Sequence, residues 1–377
     1  MTTDTLWDGY QSLSPVVARA STILFPTLDD FVNRKERAPD GYSYGLTGTP
    51  THREFERRVA HLEGAKHSVV TPSGQAAISL VFLSLLKAGD HLLLVDSAYG
   101  PAIDLGSRLA QLGIEVEHYA PSMGSDIESL IRPNTRLIWM ESPGSMTMEI
   151  QDVPAIVAVA KRHGVLTGID NSWAGPSFFQ PLALDVDMSV VACSKYLSGH
   201  ADLLLGVVST NRQDLYTAFR ASQSSYGMAV SPDDCFLAQR GLDTLPLRMQ
   251  THQDNALMIA KALEHHPLLD EVLHPALSSF AGHELWKKQF SGSSGLFALR
   301  AHCQDLDKYR RMFGRFSTIK IGASYGGGQT LAAFYPASIQ KARCFPYKQG
   351  AICRFSIGYE DPQIILTELQ QALEELR

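Results

Sequence analysis

One segment sets the architecture of this chain: His67-Ser-Val-Val-Thr-Pro-Ser-Gly-Gln-Ala-Ala-Ile-Ser-Leu-Val-Phe-Leu-Ser-Leu-Leu-Lys-Ala-Gly-Asp-His-Leu-Leu-Leu-Val-Asp96. It begins with a short apolar run, His67 to Thr71, which predicts a β-strand. Pro72-Ser73-Gly74 follows and predicts the start of a long apolar helix over Gln75 to Lys87. The compact Leu/Val run from His91 to Asp96 predicts the next strand, so the segment has the order of a βαβ unit.

The same alternation continues along the following hundred or so residues. Pro154 stands in the first turn of a predicted helix that ends at Gly164, a common end signal. Short β-type runs lie at Leu137–Met140, Val165–Asp170, Ser189–Ala192 and Leu203–Ser209. Strands that alternate with helices of 10–15 residues predict an α/β fold with a largely parallel sheet covered on both faces.

Polar residues follow these strands where a binding site is expected. In open parallel sheets, ligands bind at the carboxyl ends of the strands. The polar groups at those ends are Ser73-Gly74, Asp96 through Tyr99, Glu141-Ser142, Asp170-Asn171 and Ser194-Lys195. The sequence therefore predicts a site at this edge of the sheet.

The chain also divides into regions by pattern. Residues 1–52 show weak periodicity and predict an extended N-terminal arm. A large domain is expected over residues 53–246 and a smaller C-terminal domain over residues 247–377, with a long helix from Thr244 to Leu263 near the boundary. The last helix is predicted to have Asp361 as N-cap and Pro362 at its first position.

Composition excludes several classes of protein. The 377 residues include 33 Lys and Arg against 39 Asp and Glu, a net charge of −6 without a basic run, so nucleic acid is not an expected partner. The N-terminus lacks a signal-peptide pattern. The most apolar stretch, Ala76 to Leu86, is shorter than the roughly 20 residues that span a membrane. Five scattered cysteines without a CxxC pair indicate reduced thiols, and we expect a cytoplasmic protein.

Four residues at the strand ends suggest chemistry, although each has a plainer explanation. Lys195, after an apolar run, is either a nucleophilic or Schiff-base amine or a strand-end lysine with its charge in solvent. Asp170 is either the partner of a cofactor cation or a turn cap. Gly74 opens a helix that either cradles a phosphate or has a simple serine cap, and Tyr99 either stacks on a planar ring or is merely half-buried.

Together the four are more informative than any one of them. A phosphate cradle, an aromatic ring, an acid and a lysine are the groups that pyridoxal 5′-phosphate (PLP) requires. His200 and Asp202 form an HxD pair, but a third ligand is not evident nearby, so no metal is expected.

The chain resembles the cysteine/methionine-metabolism family of PLP-dependent enzymes, of fold type I. The resemblance runs from about Tyr44 to Asp361. Its motifs are Tyr44-Gly-Leu-Thr-Gly-Thr-Pro-Thr-His52, Pro72-Ser-Gly-Gln-Ala-Ala77, Glu141-Ser-Pro-Gly-Ser-Met-Thr-Met-Glu149, Asp170-Asn-Ser-Trp173, Ser194-Lys-Tyr-Leu-Ser-Gly-His-Ala-Asp202, Arg240-Gly-Leu242, Ser291-Gly-Ser-Ser-Gly-Leu-Phe297 and Ile352-Cys-Arg-Phe-Ser-Ile-Gly358. It implies a PLP-binding large domain with a mostly parallel seven-stranded sheet and a smaller α/β C-terminal domain.

The resemblance also implies a role for each matching residue. Lys195 would bind PLP covalently, Asp170 would hold the pyridine nitrogen, and Tyr99 would stack on the ring. The phosphate would be held by the amides of Gly74 and Gln75 and the hydroxyl of Ser194. The substrate side would be formed by Arg354 on the α-carboxylate, Ser324 beside the lysine and Tyr325 as an aromatic wall. Tyr44 would reach the neighbouring subunit's site, which implies a homo-oligomer, usually a tetramer built from dimers with shared sites.

The activity implied is β-elimination from cystathionine, or from cystine and S-substituted cysteines, giving a thiol, pyruvate and ammonia. Two departures from the family pattern bear on it. Leu46 stands where an arginine usually contacts the cofactor phosphate, and Tyr325 and Gln329 stand where the β-lyases carry tryptophan and glutamate. γ-Chemistry on homoserine esters, cystathionine or methionine is the first alternative. A PLP-binding relative without turnover is the second.

Overall fold

The computed structural model describes residues 6–7, 10–341, 343–348 and 350–377. Its strands are β1 (Leu6–Trp7), β2 (Tyr10–Gln11), β3 (His67–Thr71), β4 (His91–Val95), β5 (Glu115–Tyr119), β6 (Thr135–Glu141), β7 (Leu166–Asp170), β8 (Met188–Val191), β9 (Gly206–Thr210), β10 (Leu269–Leu273), β11 (Leu296–Ala301), β12 (Lys320–Ile321), β13 (Leu331–Tyr335) and β14 (Ile352–Ser356). Its α-helices are α1 (Leu28–Val32), α2 (Pro50–Leu62), α3 (Gly74–Leu85), α4 (Gly100–Gln111), α5 (Val153–His163), α6 (Gly175–Phe178), α7 (Gln213–Ser225), α8 (Pro232–Leu263), α9 (His283–Gln289), α10 (Leu306–Gly314), α11 (Ala337–Lys341) and α12 (Pro362–Leu373).

The larger sheet has seven strands in the order β3-β9-β8-β7-β6-β4-β5. Strands β4 to β8 pair in parallel, whereas β9 is antiparallel to both β3 and β8. The predicted α/β fold with a mostly parallel seven-stranded sheet is therefore confirmed. Strand β4 is buried at every position, as expected for a parallel strand with both faces covered.

The segment from residue 67 to residue 96 folds as β3, α3 and β4. Ser73 caps α3, since its hydroxyl accepts a hydrogen bond from the Ala76 amide at 3.0 Å. The helix buries Ala77, Leu80 and Val81 against the sheet. It ends at Leu85 rather than Lys87, because the backbone of the next residue, Leu86, is extended.

The long helix α8 begins twelve residues before its predicted start. Ser231 caps it by accepting from the amides of Asp233 and Asp234, and Pro232 occupies its first position. Pro246 lies inside the helix. A proline is common in the first turn of a helix and rare inside one, so Pro246 led to the prediction that the helix starts near Thr244. The helix runs across position 246, so the division at 246–247 stays a prediction.

The C-terminal part of the chain forms a five-stranded sheet in the order β10-β11-β14-β13-β12. The pairs are antiparallel except β12 with β13. Helix α12 has Asp361 as N-cap and Pro362 at its start, as predicted. Arg354 lies at the middle of β14, between Ala298 and Ala333 of the neighbouring strands. Pairing on both sides therefore fixes the backbone position of Arg354 in this sheet. No helix in the described ranges is long and apolar enough to cross a membrane.

Candidate active site

A cavity of about 330 Å³ lies at the carboxyl ends of β6 and β7 and is bordered by β14. Nine of the residues predicted for the site line it: Gly74, Gln75, Tyr99, Asp170, Ser194, Lys195, Ser324, Tyr325 and Arg354. The tenth, Tyr44, does not line it and is 53% exposed on the surface of the subunit. The volume is in the range of small-molecule sites in proteins.

Lys195 lies inside this cavity with its amine held from one side. Its Nζ donates a hydrogen bond to the Ser324 hydroxyl at 2.6 Å and lies 5.1 Å from the centre of the Tyr325 ring. Burial lowers the pKa of the Lys195 amine, and the positive charge of Arg354 lowers it further. More of the amine is therefore neutral at a given pH, as a nucleophile or base requires.

Ser324 occupies a backbone conformation that side chains rarely adopt, with φ of 128°. Such a residue carries about 1–3 kcal/mol of local strain, which the surrounding structure must stabilise. The next turn packs closely on the lysine, since a Cβ added at Gly326 would lie 2.7 Å from the Tyr196 amide nitrogen. The strained loop is thus fitted to the backbone that carries Lys195.

Ser324→Ala is expected to reduce kcat about five- to tenfold, because one hydrogen bond that orients the Lys195 amine is lost. Alanine keeps the Cβ, so the strain at φ 128° is unchanged and the fold should persist. Steady-state kinetics together with thermal unfolding would measure both effects. An unaltered kcat in a normally folded variant would show that the hydroxyl does not orient the amine.

Asp170 and Glu141 lie side by side at the ends of paired strands β7 and β6. Burial raises the pKa of the Asp170 carboxyl, although its Oδ1 accepts from the Ser172 amide at 2.9 Å. Burial also raises the pKa of Glu141, and the negative charge of Asp170 raises it further. Two buried carboxyls at one cavity wall are costly when ionised, so a cation placed against them would be bound favourably.

The start of α3 approaches the sheet so closely that only glycine fits there. A Cβ on Gly74 would lie 2.6 Å from the Ala192 Cβ, and a Cβ on Gly206 would lie 2.3 Å from the Ser73 carbonyl oxygen. The Ser194 hydroxyl is tied to Leu205, accepting from its amide at 2.9 Å. The first amides of a helix have no intrahelical partner, so those of Gly74 and Gln75 form an anion cradle at the cavity.

Arg354 also lines the cavity, and its side chain is oriented by two contacts. Its Nη1 donates to the Ser145 carbonyl oxygen at 3.0 Å, and its guanidinium lies 5.2 Å from the centre of the Tyr335 ring. The side chain is buried, and the remaining guanidinium donors can bind a carboxylate with two parallel hydrogen bonds.

Sequence reasoning assigned no role to three residues that shape the site. Glu141 lines the cavity and accepts from the Tyr99 amide at 2.6 Å, which fixes the loop that carries the tyrosine. Tyr335 lines the cavity beside Arg354. Arg248 of α8 is buried and donates to the carbonyl oxygens of Tyr196 and Leu197, just after the lysine. Glu141 was expected at this edge of the sheet as a strand-end residue, although its contact with Tyr99 was not. The other two carry no local signal.

Arg53 of α2 contacts the N-terminal arm within the same subunit. Arg53 donates to the Thr47 carbonyl oxygen at 2.6 Å, to the Asp40 carbonyl oxygen at 3.2 Å and to Glu56 at 3.0 Å. All three guanidinium nitrogens are thus engaged in holding the arm on α2. To contact the cofactor phosphate in place of the arginine that is missing at position 46, Arg53 would have to give up these contacts.

Gln329 also lies apart from the cavity. Its amide donates to the Thr318 carbonyl oxygen at 2.9 Å and to a Glu360 carboxylate oxygen at 2.6 Å. It therefore braces the loop that holds Ser324, whereas Tyr325 lines the cavity directly. Of the two departures in this segment, only the tyrosine can contact a substrate in this arrangement.

The donor set fits PLP. The cradle at Gly74, which a Cβ would fill, suits the phosphate, and the buried Asp170 suits a protonated pyridine nitrogen. The Lys195 amine is positioned by Ser324 and has a lowered pKa, which suits bonding to the aldehyde carbon. All three groups line the same cavity, as binding of one PLP molecule requires.

Comparison with known proteins agrees with this fit. The model of the family described as Cys/Met metabolism PLP-dependent enzyme matches residues 3–374. A cystathionine beta-lyase of Bordetella avium is 37% identical over 94% of this chain and 90% of its own. An L-alanine/L-glutamate racemase of Wolbachia pipientis wMel is also 37% identical, over 97% of this chain and 93% of its own.

Solved structures agree as well. A cystathionine gamma synthase from Xanthomonas oryzae pv. oryzae superposes with a TM-score of 0.89 at 26% identity, covering 100% of this chain and 96% of its own. The resemblance inferred from the motifs is therefore confirmed, together with fold type I and dependence on PLP. The chain belongs to the Cys/Met metabolism family of PLP-dependent enzymes.

Proposed function

We propose that this chain is a carbon–sulfur β-lyase that cleaves cystathionine, and S-substituted cysteines such as cystine, to a thiol, pyruvate and ammonia. The observation that supports this most strongly is the pairing of Lys195 and Arg354 in one cavity. The amine has a lowered pKa, and the guanidinium is free to bind an α-carboxylate. The name of the Bordetella avium relative supports the choice of substrate.

When bound, PLP would withdraw electrons from the α-carbon of the substrate, with Asp170 keeping the pyridine nitrogen protonated. Arg354 binds the α-carboxylate and thereby places the α-hydrogen near the Lys195 amine. The neutral Nζ takes that proton, and the Ser324 hydroxyl orients the Nζ. The bond between Cβ and sulfur then breaks, and a proton from Nζ or the Tyr99 hydroxyl neutralises the departing thiolate. Water completes the reaction by hydrolysing the three-carbon product to pyruvate and ammonia.

We further propose that the working enzyme is a homo-oligomer, a tetramer built from dimers. Within this assembly Tyr44 of one subunit completes the site of the next. This arrangement is supported by the exposure of Tyr44, which does not line its own subunit's cavity. A cytoplasmic location is proposed as well, because the five cysteines are free thiols, as is typical of proteins in reducing compartments.

Leu46 leads to a prediction about cofactor retention. Without a guanidinium at this position, the phosphate lacks one bidentate contact, and activity is expected to depend steeply on added PLP after dialysis. Leu46→Arg should flatten that dependence and tighten PLP binding about tenfold or more. Leu24→Arg, which adds the same charge at an 89% exposed arm position, is the matched control. Full activity of the dialysed native enzyme without added PLP would contradict the prediction.

Racemisation of alanine or glutamate is a second candidate, favoured by the Wolbachia relative. It needs the same proton removal by Lys195 but no leaving group at Cβ. γ-Chemistry, as in the named Xanthomonas synthase, is a third candidate. The three reactions give different products from simple amino acids and can be separated in one assay series.

The proposal is tested by product analysis of the PLP-loaded enzyme with cystathionine, cystine, S-methylcysteine, methionine, O-succinylhomoserine and L-alanine. Pyruvate and homocysteine in equal amounts from cystathionine are expected. 2-Oxobutyrate as the main keto acid would instead support γ-chemistry. D-Alanine from L-alanine at a higher catalytic efficiency than pyruvate release would support the racemase. No turnover of any compound by PLP-loaded protein would indicate a relative without activity.

A further inference from the structure

Outside the cavity, Arg343 joins the C-terminal part of the chain to two loops of the larger sheet. Its Nε donates to Asp96 at 3.0 Å, its Nη1 to the Thr147 hydroxyl at 3.0 Å and its Nη2 to Glu149 at 3.0 Å. The side chains of Arg343, Asp96 and Glu149 are only 7%, 5% and 11% exposed. Every nitrogen of the guanidinium is therefore engaged in a nearly dry interface.

The two loops that Arg343 joins both lead into the cavity. We call residues 96–99 the Tyr99 loop and residues 142–149 the Ser145 loop. Asp96 also accepts from the amides of Cys344 and Phe345, so this carboxylate is enclosed by the C-terminal segment. The Ser145 amide donates to the Ser97 carbonyl oxygen at 2.9 Å, which connects the loops to each other.

The Tyr99 loop and the Ser145 loop pack closely against each other. A Cβ added at Gly144 would lie 2.7 Å from the Ser97 Cβ. The Gly144 amide donates to the Glu149 carbonyl oxygen at 2.9 Å, and this closes the Ser145 loop on itself. Arg343 holds both ends of this arrangement, through Asp96 on one loop and Glu149 on the other.

The Ser145 loop contacts Arg354, the residue that would bind the substrate carboxylate. The Ser145 carbonyl oxygen accepts from Arg354 Nη1 at 3.0 Å and so sets the direction of that guanidinium. A displacement of the Ser145 loop would leave Arg354 without this contact. A lysine at position 343 would keep the charge but could not reach three separate acceptors in a plane, because its ammonium is a point charge.

We propose that Arg343 is a positioning residue for α-carboxylate binding, acting through the Ser145 loop on Arg354. This inference rests on the proposed amino-acid substrate. It predicts that loss of Arg343 weakens carboxylate binding and raises KM, while kcat changes little, because Lys195 and Ser324 lie on other elements and the Tyr99 amide is held separately by Glu141. A residue that only stabilised the fold would not affect KM selectively.

The test compares Arg343→Gln and Arg343→Lys with Arg162→Gln, which breaks an exposed pair with Glu128. Hydrogen exchange of peptides over residues 95–99 and 142–149 is measured in cofactor-free protein. The dissociation constant of glycine, which has the carboxylate but no leaving group, is measured by absorbance of PLP-loaded protein. KM and kcat for cystathionine complete the set.

In Arg343→Gln, exchange in the two loops, the glycine dissociation constant and KM should each rise about tenfold, with kcat within about twofold. Arg343→Lys should lie between this variant and the native enzyme, and Arg162→Gln should match the native enzyme. Unchanged exchange, or faster exchange with unchanged glycine binding, would overturn the proposal. If native enzyme does not cleave cystathionine, the proposed lyase activity fails, while exchange and glycine binding still decide the role of Arg343.

Discussion

Lys195→Ala is expected to lower kcat for pyruvate release by about 10²–10⁴-fold, the usual contribution of a positioned acid–base group. Among the residues that the structure describes, Lys195 is the one lysine that lines the cavity, and burial together with the nearby Arg354 charge lowers the pKa of its amine. Without the Lys195 amine, no base stands at the position that Ser324 orients to accept the α-proton. Single-turnover measurement of pyruvate, with PLP present in excess, separates this loss from weaker cofactor binding.

The control for this variant is Lys161→Ala, which removes an exposed lysine paired with Asp185. It should retain the native rate. Thermal unfolding of both variants would show whether the fold is preserved. Pyruvate release by Lys195→Ala at more than about a tenth of the native rate would exclude Lys195 as the base.

Arg354→Lys is expected to reduce kcat/KM about 10–100-fold, mainly through KM, because a bidentate charge-assisted contact is worth about 1.5–3 kcal/mol. The buried guanidinium lies between Ser145 and Tyr335, and an ammonium cannot keep the Ser145 contact and also bind both carboxylate oxygens. Arg300→Lys is the matched control. Its guanidinium lies in neighbouring strand β11 and pairs with Asp270. A KM close to the native value in Arg354→Lys would contradict the assigned role.

The charge of Arg354 gives a further, pH-dependent expectation. The base acts as a neutral amine, so kcat rises as the pH passes upward through the pKa of Lys195. Arg354 lowers that pKa, and Arg354→Gln removes the positive charge. The pKa should then rise and the acidic limb of the kcat profile should move to higher pH. Arg354→Lys keeps a charge and should leave the limb near its native position.

Much of the larger sheet could be predicted from sequence because its signals are local. The run from β3 through α3 to β4 has apolar strands, a capping serine and a helix of suitable length within thirty residues. Lys195 and Asp170 were identifiable for a related reason, since each directly follows a short apolar run. In a parallel sheet such positions meet at one edge.

The remainder depends on contacts between residues far apart in the chain. Arg343 and Asp96 are separated by 247 positions, and Arg248 contacts Tyr196 across 52. No periodicity marks such pairs. The start of α8 was misjudged because Pro246 is accommodated inside a packed helix, where tertiary contacts outweigh its local preference. The proposed role of Tyr44 depends on contacts with a second subunit.

Borohydride reduction of the PLP-loaded enzyme, followed by peptide mass analysis, tests most directly whether this cavity is the site of reaction. Reduction fixes PLP to the lysine that binds it. A single modified peptide containing Ser194-Lys195-Tyr196 is expected, with loss of pyruvate release in proportion to the modification. Modification of a different lysine, or none at Lys195 while pyruvate release continues, would contradict the assignment of Lys195 and of the cavity around it.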